Sequence, residues 1–284
     1  MWVASDWKDY KLLDCGDGKR YEKWGNKYLV RPDPQAIWEP SYKWEKVDAV
    51  YHRSNTGGGS WDVMSLPESW QIGYKSLVFN IKPMSFKHTG VFPEQAANWD
   101  FITDMLGKRK GHASVLNLFA YTGGATLASA AAGASVCHVD ASKGMVSWAK
   151  ENARSSGLGD APIRYIVDDC VKFVKREITR GHKYDAIIMD PPSYGRGPSG
   201  EIWRFEDNVY DFVTLCSQLL SDNPMFFIIS SYTAGVSPSV PEYILGRAIC
   251  PRFSGRTESG ELGIPVASSS LNLPCGHTSR WIGE

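Results

Sequence analysis

From residue 114 to residue 230 the chain repeats one rhythm, and that rhythm constrains the fold more than any other feature. Short apolar runs, "SVLNLFA" (114–120), "SVCHVD" (135–140), "IRYIV" (163–167), "YDAIIM" (184–189) and "MFFIIS" (225–230), read as strands. Between them lie helical stretches, "GGATLASAAAG" (123–133), "SKGMVSWAKENARSSGL" (142–158), "CVKFVKREITRG" (170–181) and "NVYDFVTLCSQLLS" (208–221), with Ser142 placed as an N-cap. Strands that are apolar throughout and alternate with helices imply a parallel sheet covered on both faces. Residues 252–274 add two strands, the stretch "SGELGIPVASSSLNL" reading as an antiparallel edge pair. The fold class that follows is α/β: a doubly wound, mostly parallel, seven-stranded sheet of Rossmann-like type.

Upstream the texture differs. "PEQAANWDFITDMLG" (93–107) carries Ala97, Phe101 and Met105 at helical spacing, with Pro93 opening a helix and Gly107 closing it. Residues 1–80 are rich in Trp, Tyr, Lys and Gly, and seven of the eleven tryptophans fall there. Their short runs, broken by "GDG" and "GN", read as hairpins, with "HRSNTGGGSW" (52–61) a loop. Two domains are expected: a small aromatic-rich β domain over 1–80 and an α/β domain over 81–284.

Composition closes off several classes. With 43% hydrophobic and 22% charged residues the chain folds rather than staying disordered. The 31 basic and 31 acidic residues cancel, so no long-range field draws a nucleic acid in. Local basic groups remain at Lys108, Arg109 and Lys110 and at Lys172, Lys175, Arg176 and Arg180. The latter read first as a solvated helix face, with an RNA-backbone contact the alternative. The six cysteines form no CxxC pair and the six histidines no HxH or HExxH pattern, so no metal is expected. No stretch approaches the ~20 apolar residues of a membrane span, and "MWVASDWKDYK" has no apolar signal core. The expectation is a cytoplasmic protein without a membrane partner. A homo-oligomeric state stays open.

In a doubly wound sheet, ligands bind beyond the carboxyl ends of the strands at the point where strand order reverses. After the first strand, Gly123 and Gly124 permit close backbone approach to a ligand. Neither GxGxxG nor a phosphate-cradling Lys-Ser/Thr follows, which argues against a dinucleotide or nucleotide. The second strand ends in Asp140, able to accept both ribose hydroxyls. The third leads to Asp168 and Asp169. Asp169 reads either as a helix cap or as an acceptor for an adenine amino group. Together Gly123, Asp140 and Asp169 sketch a slot for a nucleoside lacking phosphate, with S-adenosylmethionine the obvious candidate.

The fourth strand runs into "DPPSYGRG" (190–197). There Asp190 and the Pro191 carbonyl can hold a substrate amino group, and Tyr194 can stack on its ring, a contact worth ~1–3 kcal/mol per base. Methyl transfer from a sulfonium needs orientation more than acid–base help. Arg196 and Arg204 flank the loop that follows and read as phosphate or substrate contacts. His88 reads as structural or as a contact to cofactor or substrate, and His138 as a core residue.

Residues 80–284 resemble the class I S-adenosylmethionine-dependent methyltransferases, specifically the bacterial 23S ribosomal RNA methyltransferase branch and its uncharacterised relatives. The resemblance rests on "KHTGVFPEQAANW" (87–99), on "VLNLFAYTGG" through "NARSSGL" (115–158), on "VDDCVKFVKRE" (167–177) and on "YDAIIMDPPSYGRG" (184–197). It implies that Phe119, Ala120, Thr122 and Gly123 line the methionine part of the cofactor. It implies that Asp140, with Ala141 and Ser142 beside it, binds the ribose, and that Asp169 and Cys170 approach the adenine. Thr89, Gly90, Phe92 and Gln95 would cover the cofactor pocket. Asp190, Pro191 and Pro192 would face the acceptor, with Asp190 also bordering the cofactor. The implied activity is methyl transfer to RNA, ribosomal RNA foremost. A small-molecule or protein acceptor, and a non-catalytic assembly protein that keeps the pocket, are the alternatives. Relatives that methylate cytosine carbon 5 place a nucleophilic cysteine after strand five. Here "IISSYTAG" offers Ser230, Ser231 and Tyr232, and an unactivated serine hydroxyl is no substitute for a thiolate. Cys170 opens a helix, where its pKa is expected to fall, but on the adenine side. The relatives' fused RNA-binding domain is not evident in residues 1–80.

Overall fold

The computed structural model describes residues 1–54, 58–196 and 202–284, which form two compact units. One, the β unit, comprises residues 2–97 and 262–275. The other, the α/β unit, comprises Met1 and residues 98–261 and 276–284.

The first eight strands are β1 (Trp2–Val3), β2 (Tyr10–Gly16), β3 (Lys19–Trp24), β4 (Lys27–Pro32), β5 (Ala49–Arg53), β6 (Gly59–Val63), β7 (Trp70–Tyr74) and β8 (Leu77–Ile81). Strands β2 to β6 form one sheet in sequence order, and β7 and β8 a separate hairpin. The "GDG" signal turns the chain with Asp17 and Gly18 both left-handed (φ 51° and 70°), as the twist of a two-residue hairpin demands. Within the stretch 52–61, expected as a loop, residues 52–53 and 59–61 are instead paired, β5 running antiparallel to β6, and residues 55–57 lie outside the described residues. Gly59 relieves crowding, since a Cβ on it would meet the His52 carbonyl at 2.1 Å, whereas Gly58 supplies a positive φ of 69° in open space. Tryptophan serves packing here. Trp24 is fully buried with Tyr10 at 4.6 Å, and Trp7 lies 4.8 Å from Tyr74. Beside the rings sits a buried ionic network. Glu22 accepts from Arg31 and from the Tyr10 hydroxyl (2.8 Å), and Arg20 donates to Asp33, so each buried charge is paired.

The remaining elements are α1 (Ala96–Lys108), β9 (Ser114–Leu118), α2 (Gly124–Ala131), β10 (Ser135–Asp140), α3 (Lys143–Ser155), β11 (Ile163–Val167), α4 (Cys170–Thr179), β12 (Ala186–Met189), β13 (Tyr194–Arg196), β14 (Ile202–Arg204), α5 (Phe205–Ser217), β15 (Phe226–Ser231), α6 (Ser239–Ile249), β16 (Gly255–Pro265) and β17 (Asn272–Gly283). Pro93 opens a single 3-10 turn rather than α1 itself, and α1 passes through Gly107 to Lys108. Helix α6 occupies a stretch in which no element was expected. Prolines obscure it, yet Pro238 and Pro241 sit at its cap and first turn, where a missing N–H costs nothing.

The main sheet has the order β1-β16-β17-β15-β12-β9-β10-β11. Its pairs β11–β10–β9–β12–β15 are parallel, and β17 runs antiparallel to β15. The seven expected strands are present, and two-residue β1 adds an eighth through Trp2 and Val3 beside β16. Both faces are covered. On one, Leu116, Leu118, Ile187, Met189, Phe227 and Ile229 pack with Phe173, Phe212 and Leu245. On the other, Val115, Ala186, Ile188, Phe226 and Ile228 pack with Ile102 and Leu106. Burial on both sides explains why "AIIM" shows no polar alternation.

The chain lays down β9, β10 and β11 in one direction and then returns to place β12 on the other side of β9, which creates the switch point. Leu118 stands opposite both Val139 and Met189, and Met189 opposite Ile229. Phe119, Asp140, Asp190 and Ser230, the next residue along each strand, therefore stand at one level of the sheet.

Candidate functional site

The turn after β9 is wound unusually tightly. Phe119 and Tyr121 are left-handed (φ 53° and 50°), as is Gly123 (φ 91°). Left-handed conformations in two aromatic residues cost energy and persist only where surrounding bonds impose them. Those bonds are present. Phe119 N–H donates to Cys170 Sγ (3.4 Å), Ala120 N–H to the Val139 carbonyl (3.1 Å) and Tyr121 N–H to Asp140 Oδ2 (2.9 Å). The same winding ends β9 at Leu118, two residues short of the apolar run. Thr122 is buried, its carbonyl accepting from Asn152 Nδ2 (2.9 Å).

The two glycines have separate tasks. Gly123 supplies the positive φ and is the N-cap of α2. Gly124 is a packing glycine: a Cβ there would meet the Trp99 ring at 2.5 Å. The sequence motif alone does not show this packing role of Gly124.

Asp140 organises the second turn. Its Oδ2 accepts from Tyr121 N–H and its Oδ1 from Ser142 N–H (2.8 Å). Burial raises its pKa against the pull of these two bonds. Each carboxylate oxygen has two acceptor positions, so one on each remains for a further donor. Ser142 caps α3, its hydroxyl accepting from Met145 N–H (3.4 Å), and Ala141 beside it is exposed. Asp169 is the N-cap of α4, with Oδ1 accepting from Lys172 N–H (2.8 Å). Asp168 forms an ion pair with Arg176.

Cys170 departs from expectation. Its thiol sits in the core, bonded to Phe119 N–H, and burial drives its pKa well above the usual thiol value rather than below it. It braces the turn and is not a nucleophile.

Past β12, Asp190 is half-buried, Pro191 buried, and Pro192 and Tyr194 exposed, with the Tyr194 side chain 51% accessible. Trp203 Nε1 donates to the Pro192 carbonyl (2.7 Å), and Phe205 N–H to the Ser193 carbonyl (3.0 Å). The Trp203 ring packs against Phe119 (5.4 Å) and Phe212 (5.6 Å). One aromatic thus ties the "DPP" turn to the turn after β9. Sequence reasoning passed over Trp203. Its signal was a lone indole in the glycine-rich stretch after the "DPP" turn. The Pro192 carbonyl is committed, whereas no bond to the Pro191 carbonyl is found among the described residues. Arg204 lies exposed near Asp207, while Arg196 has its side chain outside the described residues.

The two serines that end β15 are packed into the core. Ser230 and Ser231 are buried, Ser230 Oγ accepting from Asn98 Nδ2 (3.2 Å) and Ser231 Oγ from Thr233 N–H (3.2 Å). His138 is a core residue bonded to Thr126 Oγ1, and burial lowers its pKa to about 3. The basic residues of α4 are exposed, Arg176 and Arg180 being paired with Asp168 and Glu177.

Within the β unit, Thr89 is buried with its hydroxyl unpartnered among the described residues, and Gly90 takes φ 103°, which favours glycine. Phe92 is half-buried 4.9 Å from the His88 ring, and Gln95 closes the 3-10 turn. Burial, reinforced by Arg31 and Lys87, lowers the His88 pKa to about 4.

The donor set at the switch point suits a nucleoside sulfonium. Asp140 ends β10 while Asp169 and Asp190 follow β11 and β12, all in the parallel part of the sheet, and carboxylates attract hydroxyl, amino and cationic groups while repelling phosphate. No group of residues that could hold a metal ion occurs among the described residues, and none of their helices is long and apolar enough to cross a membrane.

Comparison with known proteins agrees. The family profile of S-adenosylmethionine-dependent methyltransferases matches residues 37–205. A solved methyltransferase of this class from Agrobacterium tumefaciens is 35% identical, with TM-score 0.94 over 99% of this chain and 93% of that one. A Streptococcus mutans protein assigned to the same class is 18% identical and alike in fold, with TM-score 0.75 over 98% of this chain and 76% of that one. The ribosomal RNA large subunit methyltransferase K/L of Shewanella frigidimarina is 33% identical over 147 residues, 51% of this chain. The chain spans only 20% of that relative's length.

Proposed function

Because the chain belongs to the S-adenosylmethionine-dependent methyltransferase family, we propose that it methylates an exocyclic nitrogen of a base in RNA, ribosomal RNA foremost, in the cytoplasm. The observation that carries this reading is the turn at the switch point, where Asp190 and Pro191 follow β12 and Trp203 fixes the next carbonyl, that of Pro192, while its ring packs on Phe119 of the turn after β9.

Asp140 accepts the two ribose hydroxyls at its remaining positions, and Asp169 accepts from the adenine amino group. The tightly wound turn Phe119–Gly123 shapes the methionine side. The resemblance assigns Thr89, Gly90, Phe92 and Gln95 to covering the cofactor, which the affinity of Gln95→Ala for S-adenosylhomocysteine tests. Bound there, S-adenosylmethionine supplies an electrophilic methyl group on a sulfonium. Asp190 and the Pro191 carbonyl accept the hydrogens of the acceptor amine, turning its lone pair toward that methyl group. The Asp190 carboxylate also stabilises the positive charge the nitrogen gains. Tyr194 stacks on the acceptor base, and orientation supplies the main part of the rate. Absence of a cysteine from the β15 turn, together with burial of Ser230 and Ser231, argues against covalent cytosine chemistry.

The names of the curated relatives support RNA as acceptor, while the zero net charge favours a small molecule. Transfer from a labelled methyl donor to separated RNA, protein and metabolite pools decides between them. Label in RNA, lost in Asp190→Ala without loss of S-adenosylhomocysteine binding, is the expected result. Label in another pool refutes the RNA reading, and cofactor binding without turnover on any pool refutes catalysis.

A further inference from the structure

The outer face of the five-stranded sheet of the β unit carries rings and lysines that its core does not use. Lys11, Lys23 and Tyr28 stand in one row across β2, β3 and β4. Tyr21, two residues from Lys23, shares that face. Its ring stacks on Trp44 (5.3 Å, 17°) and lies 6.1 Å from Tyr28. Lys46 Nζ sits 4.3 Å over the Tyr28 ring. Trp44 and Tyr28 are half-buried. Tyr42, 47% exposed, stands close enough to Tyr21 to act on its titration.

The segment that bears Tyr42 and Trp44 contains no strand between β4 and β5, yet it is tied down. Trp38 Nε1 donates to the Cys15 carbonyl (2.9 Å), Ser41 N–H and Trp44 Nε1 both donate to Asp14 Oδ2 (2.9 Å each), and the Tyr21 hydroxyl donates to the Lys46 carbonyl (2.6 Å). The rings are held in place in advance, so a ligand need not order them. A segment that only linked two strands would have no reason to keep Ile37 (86% exposed), Trp38 (45%) and Tyr42 in water.

The charges on this face favour an anion. Lys11, Lys43 and Lys46 are exposed and Lys23 half-exposed. The nearby acids keep their charge but have acceptor positions taken by bonds within the β unit. Asp14 accepts from Ser41, Trp44 and Ser268, Asp48 from Tyr28 N–H (2.7 Å), and Asp62 pairs with His52. Within residues 41–48 only Glu45 remains.

We infer that this face binds single-stranded RNA, its bases stacking on Tyr42 and Trp44 and its phosphates lying along Lys11, Lys23, Lys43 and Lys46. Flat rings combined with lysines are what unpaired bases on a charged backbone require, whereas a duplex keeps its bases stacked on one another. The inference rests on RNA being the acceptor and places part of its recognition outside the switch-point turns.

Fluorescence anisotropy with the full chain and a short labelled oligoadenosine RNA, over a salt series, tests it. Tyr42→Ala is expected to weaken binding about 5- to 100-fold. Joint substitution Lys43→Ala and Lys46→Ala is expected to reduce the salt slope by about one to two. Trp44→Phe, which keeps a ring on Tyr21, is expected to retain most of the affinity, and unchanged binding of S-adenosylhomocysteine certifies the fold of each variant. Unaltered RNA affinity in the alanine variants overturns the inference, as does equal affinity for a duplex. A change confined to oligomeric state in sedimentation overturns it in favour of a second copy of the chain. If the parent protein methylates RNA while the variants bind it normally, this surface fails and the proposed function stands. If the variants lose RNA binding but no RNA pool accepts a methyl group, the proposed function fails and the surface stands.

Discussion

Asp140→Asn tests the cofactor site most directly, because the carboxylate has internal and external duties at once. In the folded chain each oxygen accepts one backbone N–H, from Tyr121 at 2.9 Å and from Ser142 at 2.8 Å. An amide has one acceptor oxygen, so its NH2 must face one of these two donors. The turn then loses one charge-assisted bond and leaves a partly buried donor unpaired, a cost of about 1–3 kcal/mol. At this chain length each kcal/mol moves the melting temperature by roughly 2–4 °C. The same exchange removes an acceptor for one ribose hydroxyl. A charge-assisted bond of about 1.5–3 kcal/mol corresponds to a 10- to 100-fold weaker binding of S-adenosylhomocysteine. Titration calorimetry measures the affinity and thermal unfolding the stability.

The sign of the pH dependence follows from the raised pKa of Asp140. Burial disfavours its charged form in the folded chain, so the stability contribution of this group is complete below the unfolded aspartate pKa near ~3.9 and is lost as pH rises through the higher folded value. Ligand binding runs the other way, because the hydroxyls need an ionised acceptor. Affinity should therefore fall on acidification, starting above the ordinary aspartate range, and the asparagine variant should lack that component. Unchanged affinity in Asp140→Asn, or an identical pH profile in both proteins, would refute the assignment of Asp140 to the ribose.

Other outcomes follow from the same geometry. Trp203→Phe keeps a ring beside Phe119 but removes the donor to Pro192, and a bond of about 0.5–1.5 kcal/mol predicts a loss of up to about tenfold in kcat with cofactor affinity retained. Gly124→Ala drives a Cβ into the Trp99 ring and should cost about 1–3 kcal/mol in thermal or urea unfolding. Of the six cysteines only Cys250 is exposed, so a thiol reagent should label one group per native chain and all six after denaturation, with Cys170 among the protected. Burial opposes the charge of Glu177, but bonds from Tyr184, His182 and Arg180 and the Arg164 charge together hold its pKa below the usual range. Glu177→Gln should therefore destabilise the protein at neutral pH, by a deficit that shrinks as acid titrates the parent carboxyl.

Local pattern along the chain is enough for the architecture of the α/β unit and for the order of its candidate residues. Alternating apolar runs and amphipathic stretches are local patterns, and each is set by burial on two faces or on one. They were enough to place Asp140, Asp169 and Asp190 after successive strands and to make Ser142 a cap. Which groups touch one another depends on the closed fold. Gly123 and Gly124 are neighbours in one motif, yet the first serves a left-handed φ and the second makes room for Trp99, a residue 25 positions away. Cys170 opens a helix, a position that lowers a thiol pKa when solvent reaches it. Closure of the core over the sulfur reverses the sign. Trp203 carried no periodic signal, because its work is one hydrogen bond and two ring contacts across separate turns. The stack of Tyr21, Tyr28 and Trp44 joins two strands and a strandless segment, so no window along the chain contains it. Periodicity records which side of an element is buried. Packing density, left-handed turns and the partners of buried polar groups depend on residues distant in sequence, and those exist only once the chain has closed on itself.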